Sequence, residues 1–553
     1  MMRRLLLILV FCLAACSPRP PAPLPPAPSA KSGLRLATVL PNPSPPSASP
    51  TIISAPVSTP TGPPTPTSSP TVASPTPPSQ PSPASKGEGD ADSDLALYRP
   101  ALLPAYQADL DALLGLSRYD IAMRLDPDRR LITGQMQVRY TNMETATLNS
   151  MAFRLFANYP PRFSAREGGI EVTSAQVAGR AIASRLAVSD TVLWLPLNPP
   201  LAPGESITVA LAFSETVPLG PGGAYGAFSA ASGIFALAHF YPLIPAYDDE
   251  GWHVELGPAV GDLTYTDVAL YRVRMTAPSD MVIVASGNVT DEEDHGDGTT
   301  TWTLAGGPMR DFYIVASRAY RLRWEMVGRV RISSYYLPGD EAGGERALEV
   351  AATALRIFEE RFGPYPYAEL DIAATPTLAG GIEYPGVIVI NQRGYKSPDM
   401  GFNGTVAHEV AHQWWYGLVG NDQVEEPWLD EALAQYSFLL YIEDTAGPAA
   451  AALVRAQSFE SVYEAGLRDG WDKPIGLPVA SYGDDYGPIV YAKGPLFFQA
   501  LRDELGDDLF FGFLRHYLAA FRYRNVTGRE FLALAEAYTR RDLQPLYDKW
   551  VRP

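Results

Sequence analysis

Residues 17–93 hold 23 of the chain's 53 prolines, interleaved with Ser, Thr and Ala. Runs such as Pro63-Pro64-Thr65-Pro66-Thr67 and Pro75-Thr76-Pro77-Pro78 lack the amide hydrogens that helices and sheet ladders need. The composition predicts a disordered, partly polyproline-II tether over 16–93. Whatever folds in this chain of 553 residues lies beyond it, and enough remains for two or three domains.

The segment before the tether, 1–15, has the make-up of a signal peptide. Arg3 and Arg4 precede an apolar stretch from Leu5 to Leu13, far short of the ~20 residues that span a bilayer. Leu13-Ala14-Ala15-Cys16 resembles the lipobox of bacterial lipoproteins. That resemblance implies cleavage before Cys16, lipid on Cys16, and an extracytoplasmic protein anchored to a bacterial membrane. Ordinary signal cleavage nearby is the alternative. No other run of 18 apolar residues suggests a second anchor. The chain has only two cysteines, Cys12 and Cys16, so neither a disulfide framework nor a cysteine zinc cluster is available. Any metal ligand must be His, Asp or Glu. A net charge of -18 excludes the electrostatic footprint of a nucleic-acid binder.

Two blocks follow. From 119 to 323 short apolar alternations recur, as at Tyr119, Ile121, Met123 and Leu125 and at Met136, Val138 and Tyr140. Similar runs at 191–197, 206–213, 268–275, 281–285 and 313–317, with Pro/Gly turns between them, predict an antiparallel β domain over 94–332. Its first residues, 94–117, read as a lead-in helix. From 333 to 553 the period changes. A helix is expected at 347–362, a strand pair at 370–374 and 387–390, then helices at 404–415, 428–442, 448–465, 495–505, 508–521, 528–538 and 543–551.

The chemistry is carried by His408-Glu409-Val410-Ala411-His412. Residues i and i+4 share one helix face, so His408 and His412 can hold one zinc ion, while Glu409 can reach a water on it. About 0.003 chance occurrences are expected in a chain of this composition. Glu431 follows in Trp428-Leu429-Asp430-Glu431-Ala432, and a helix, a turn and a second helix would bring it back as the third ligand. An exposed helix charge is the alternative. Two His and one carboxylate leave a fourth position open, the mark of a catalytic site.

His408 to His412, eighteen residues, then Glu431, with Gln413-Trp414-Trp415 and Trp428-Leu429-Asp430 alongside, resembles the M1 family of zinc aminopeptidases in the gluzincin clan. Asp430 stands where the family has Asn. The resemblance implies a saddle-like β domain followed by a thermolysin-like, mostly helical catalytic domain, one zinc per chain, and a short form without the C-terminal helical domain. Gly380-Gly381-Ile382-Glu383-Tyr384 resembles the family's Gly-Ala-Met-Glu-Asn, with Tyr384 for Asn. It implies that Gly380 and Gly381 admit the substrate backbone and that Glu383 holds the substrate's α-amine. Tyr491-Ala492-Lys493-Gly494 resembles Tyr-x-Lys-Gly and implies that Tyr491 stabilises the oxyanion, with Tyr482 and Tyr486 as competitors. No second amine-binding Gln or Glu is evident between Phe235 and Tyr247. His295 reads as a solvent-exposed residue of an acidic turn and His516 as a helix-face residue.

The expected function is zinc-dependent release of N-terminal residues from peptides, with Glu409 as general base. Alternatives are a gluzincin endopeptidase or an epoxide hydrolase on the same site, or a non-catalytic surface binding lipoprotein. Expected partners are peptide substrates and, through the lipid, a membrane; no protein partner is predicted.

Overall fold

A computed structural model describes residues 95–159, 168–220, 224–257 and 260–552. Cys16, the signal segment and the proline-rich stretch lie outside them. All described residues belong to one packed unit, so the strand-rich and helix-rich blocks share an interface.

The alternating runs become an eight-stranded sheet. In spatial order its strands are Asn288–Asp294, Thr299–Met309, Ala269–Pro278, Ser117–Asp126, Leu131–Thr141, Ser206–Thr216, Gly169–Val177 and Arg180–Ala181. Tyr119, Ile121, Met123 and Leu125 are all at most 3% exposed, as the period of two requires. One pairing departs from the antiparallel expectation: Ser117–Asp126 lies parallel to Ala269–Pro278, because the intervening strands complete the sheet and a second layer before the chain returns. The lead-in helix is also corrected. Residues 95–116 form short turns at Arg99–Ala101, Pro104–Tyr106 and Asp109–Ala112, since Pro100 and Pro104 interrupt any longer helix.

A second layer holds four short strands, Val282–Ala285, Ile314–Ser317, Ile234–Leu237 and Phe228–Ala231. Next to it stands a five-stranded sheet in the order Arg321–Val327, Val330–Tyr336, Glu369–Thr375, Val387–Asn391, Gly381–Tyr384. Gly381–Tyr384 is its edge strand and pairs only with Val387–Asn391, antiparallel. Against this sheet pack helices α1 (Glu341–Phe362), α2 (Met400–Ala411) and α3 (Leu433–Ala446). α1 buries Leu348, Ala351, Leu355, Phe358 and Phe362, and Phe358 and Phe362 meet Trp414 and Trp415 just beyond α2.

Arg310, 2% exposed, bolts the blocks together. It donates to the carbonyl oxygens of Tyr416 (2.6 Å), Thr266 (3.1 Å) and Arg524 (2.7 Å). Tyr416 in turn donates its hydroxyl to Asp311 Oδ2 at 2.9 Å. The chain behind α2 is thereby tied to the strand-rich block.

Asp371 gives the fold a testable pH signature. It lies inside the strand Glu369–Thr375, and its Oδ1 is buried without a hydrogen-bond partner among the described residues. Burial pushes its carboxyl from 3.8 up to about 8. Between those values the folded chain holds a proton that the unfolded chain has lost, so stability falls as pH rises across that window and is level above it. Asp371→Asn should flatten this slope. Melting temperatures of wild type and variant from pH 4 to 8 check it: curves that stay parallel would contradict the assignment.

Candidate active site

α2 starts where the Asp399 side chain accepts a hydrogen bond from Phe402 N at 3.0 Å and ends at His412, its C-cap. His408 and His412 therefore lie one turn apart at the helix end. The His412 Nδ1 stands 2.9 Å from the Trp415 carbonyl oxygen. A carbonyl only accepts, so Nδ1 carries the hydrogen and Nε2 is left as a lone pair facing inward. The helix expected over 404–415 stops at 411 because the turn through Gln413 to Leu418 makes this bond possible.

Glu431 arrives from the other side, on a π-helical turn, Trp428–Ala432, that opens α3. His408 Nε2 is 3.1 Å from Glu431 Oε2, His412 Nε2 is 3.1 Å from His408 Nε2, and His412 Nε2 is 3.4 Å from Glu431 Oε2. Ligands of a tetrahedral ion at ~2.0–2.1 Å stand about 3.3 Å from one another. The triangle is that of a first coordination shell, and all three side chains are buried. A second cluster, Glu383, His412 and Asp430, shares His412 and lies directly behind.

The supports are polar and continuous. Asn421 Nδ2 donates to Asp430 Oδ1 at 3.1 Å, and Gln423 Nε2 donates to Asp430 Oδ2 at 2.8 Å and to Glu383 Oε1 at 3.0 Å. Asp430, in place of Asn, thus accepts from two amides and positions the backbone of its neighbour Glu431. Gln413 clamps the edge strand to the end of α2: its Oε1 accepts from Gly386 N (2.9 Å) and its Nε2 donates to Tyr384 O (3.0 Å).

The edge strand brings Gly380, Gly381 and Glu383 to the cavity wall beside Glu409. A Cβ at 381 would lie 2.5 Å from Glu409 Oε1, so glycine is required for that carboxylate to stand there. Tyr384 alternates away from Glu383, stacking on Tyr313 with ring centroids 4.0 Å apart. Tyr491 sits on another π-helical turn, Gly487–Lys493, and donates its hydroxyl to Glu431 Oε1. The competitors do not line the cavity: the Tyr482 hydroxyl donates to the Ile475 carbonyl at 2.5 Å, and the Tyr486 ring stands edge-on to that of Tyr491, with centroids 5.8 Å apart. π turns concentrate at functional sites, and here two of them carry Glu431 and Tyr491.

One residue escaped the sequence reading. Asp262, half-buried, lines the cavity opposite Glu383. It lies in Gly261-Asp262-Leu263-Thr264, a loop with no local pattern to mark it. His295 is exposed, as expected, and His516 lies on the helix Asp507–Phe521, exposed and stacked on Tyr538.

Four carboxyls, those of Asp262, Glu383, Glu409 and Glu431, line one cavity with His408 and His412 and, among the described residues, with no Lys or Arg. Burial pushes Glu383 up to about 7 and, reinforced by Glu383 and Glu431, lifts Glu409 well above the carboxylate range. Burial opposes a charged His412, but the carboxylates of Glu383, Glu431 and Glu409 outweigh it and raise the ring. Such a cluster is short of positive charge, and a divalent ion in the triangle would supply it.

Residues 346–550 match the family described as Peptidase family M1 domain. The match lies within the helix-rich block and includes His408, His412 and Glu431. Over 276 residues, 46% of the chain, the sequence is 27% identical to Endoplasmic reticulum aminopeptidase 1 of Rattus norvegicus, covering 29% of that protein. Over 320 residues it is 27% identical to the Alanine/arginine aminopeptidase of Saccharomyces cerevisiae, covering 35% of it. The chain thus spans about a third of the length of these curated relatives. The fold is that of an M1 zinc metallopeptidase from Deinococcus radiodurans, with TM-score 0.61 and 21% identity over 80% of this chain and 95% of that one. A two-domain M1 zinc metallopeptidase mutant bound to L-arginine matches with TM-score 0.62 and 20% identity, over 79% and 94%. The strand-rich block followed by the helix-rich block thus has the fold of these two structures.

Proposed function

We propose that this chain is a zinc-dependent aminopeptidase, held to a bacterial membrane by lipid on Cys16. The observation that carries this reading is the pair Glu383 and Asp262, set beside the His408–His412–Glu431 triangle on the cavity wall. Carboxylates there suit a cationic α-amine, and their fixed distance from the triangle selects the first peptide bond. The unpaired side of Gly381–Tyr384 suits a substrate backbone lying as an added strand, with Gly380 and Gly381 permitting the approach.

His408, His412 and Glu431 would hold one zinc ion, which when bound acidifies water and polarises the scissile carbonyl. Glu409 takes the proton of the attacking water and returns it to the leaving amine; its raised proton affinity suits both halves. Tyr491 turns its hydroxyl from Glu431 to the oxyanion that develops on the carbonyl. Relatives named as aminopeptidases and a related mutant bound to a Tyr-Ser-Ala substrate support the reaction class.

A charge-assisted hydrogen bond to the amine is worth about 10- to 150-fold in specificity. Glu383→Ala should lower kcat/KM for free-amine peptides by about that factor. N-acetylation of the substrate should cost wild type more, because it removes the charge seen by Asp262 as well. Acetylated and free peptides cleaved equally well would replace this reading with an endopeptidase.

The anchor has its own test. Cys16→Ser should move the protein from the membrane fraction to the soluble fraction with turnover of short peptides unchanged. Persistence in washed membranes would contradict lipid at Cys16.

A further inference from the structure

Past Glu383 and Asp262 a second cavity opens. The two cavities share Tyr225, Gly261, Asp262, Ile382 and Glu383 as walls, but none of His408, His412 and Glu431 lines the second. Phe156, Tyr159 and Phe228 make its walls aromatic, and His239 stands among them.

His239 is held in place. Its backbone is left-handed, with φ 49°, a conformation a side-chain-bearing residue keeps only under constraint. Its ring stacks on Phe156 with centroids 4.4 Å apart and meets Tyr384 edge-on at 6.4 Å. Nε2 lies 3.0 Å from Asp311 Oδ2 and 3.3 Å from Thr264 Oγ1. The carboxylate only accepts, so Nε2 carries a hydrogen, and Nδ1 is the ring atom left to accept. Nδ1 has no hydrogen-bond partner among the described residues, and the side chain is 13% exposed. Among the described residues, Asp262, Asp311 and Glu383 line this cavity and no Lys or Arg does.

We infer that this cavity receives the side chain of the substrate's first residue, and that His239 makes it prefer a long side chain ending in a hydrogen-bond donor, as in tyrosine or arginine, over phenylalanine and glutamate. The inference rests on the aminopeptidase reading. An amine held at Glu383 and Asp262 stands at the neck between the cavities. The first cavity holds the reacting bond, so a side chain on the carbon that bears the amine extends into the second. Aromatic walls take its body, the ring acceptor meets its tip, and the surrounding carboxylates reject an acidic one.

The test compares kcat/KM for chromogenic anilides of tyrosine, phenylalanine, arginine, glutamate and alanine. Wild type should favour tyrosine over phenylalanine by roughly 3- to 10-fold, the size of one net hydrogen bond, with glutamate slowest. His239→Phe keeps the ring stack, removes the acceptor, and should bring the tyrosine-to-phenylalanine ratio to near one. Phe228→Ala, which removes a wall and leaves the His239–Phe156 stack in place, should slow both substrates and preserve the ratio. A wild-type ratio near one overturns the proposal whatever the variants do; so does a ratio that survives His239→Phe or that collapses equally in Phe228→Ala. Should wild type cleave blocked peptides but not the alanine anilide, the aminopeptidase reading itself fails.

Discussion

Replacing Glu409 with glutamine should lower kcat by about 10²- to 10⁴-fold, the usual contribution of a positioned general base, and leave zinc bound. Glutamine keeps the shape that packs against Gly381 but cannot take a proton. Glu409 is not one of the three residues whose ligand atoms form the triangle, so its loss leaves the coordination shell intact. A base that acts on the reacting water and not on the bound peptide is expected to leave KM little changed and to show its loss in kcat. Steady-state kinetics with metal analysis of the same sample check both parts. Turnover within tenfold of wild type would remove Glu409 from the mechanism.

His412→Ala should have the other large effect, by a different route. His412 is 1% exposed and supplies one corner of the triangle. Without it two ligands remain, and the buried carboxyls of Glu383, Glu409 and Glu431 lose the ring that offsets their charge. The variant should fail to retain zinc through dialysis that leaves wild type loaded, and turnover should fall below that of Glu409→Gln. A ligand that binds only the folded state raises its stability, so zinc should raise the melting temperature of stripped wild type and not of His412→Ala. Equal thermal responses would place the metal elsewhere.

The contrast between what was and was not readable in the sequence has physical causes. His408, Glu409, His412 and Glu431 were legible because one helix turn and one reversal set their geometry, and because few residue types make that chemistry. The strand Ser117–Asp126 was legible because its inner face is apolar at every second residue. Its parallel partner was not: the pairing of Tyr119 with Tyr271 joins residues far apart in the chain, and local period carries no trace of it. Asp262 was invisible for the same reason. A lone carboxylate in a loop acquires meaning only when the fold sets it opposite Glu383. The end of α2 at Ala411 was misplaced because Trp414 and Trp415 extend the apolar period past the point where the His412 ring turns to Trp415 O. The π turns under Glu431 and Tyr491 leave the helical pattern intact while shifting which face a side chain takes.

On the proposed reading, a metal held by His408, His412 and Glu431 acts at the first peptide bond. The most direct measurement is turnover of a free-amine tripeptide as zinc is titrated back into chelator-stripped protein. The structure predicts activity that is absent at the start, rises with added zinc and levels off at one equivalent per chain. Full turnover by the stripped protein, or a rise that continues unchanged when His408, His412 and Glu431 are all replaced by alanine, would contradict it.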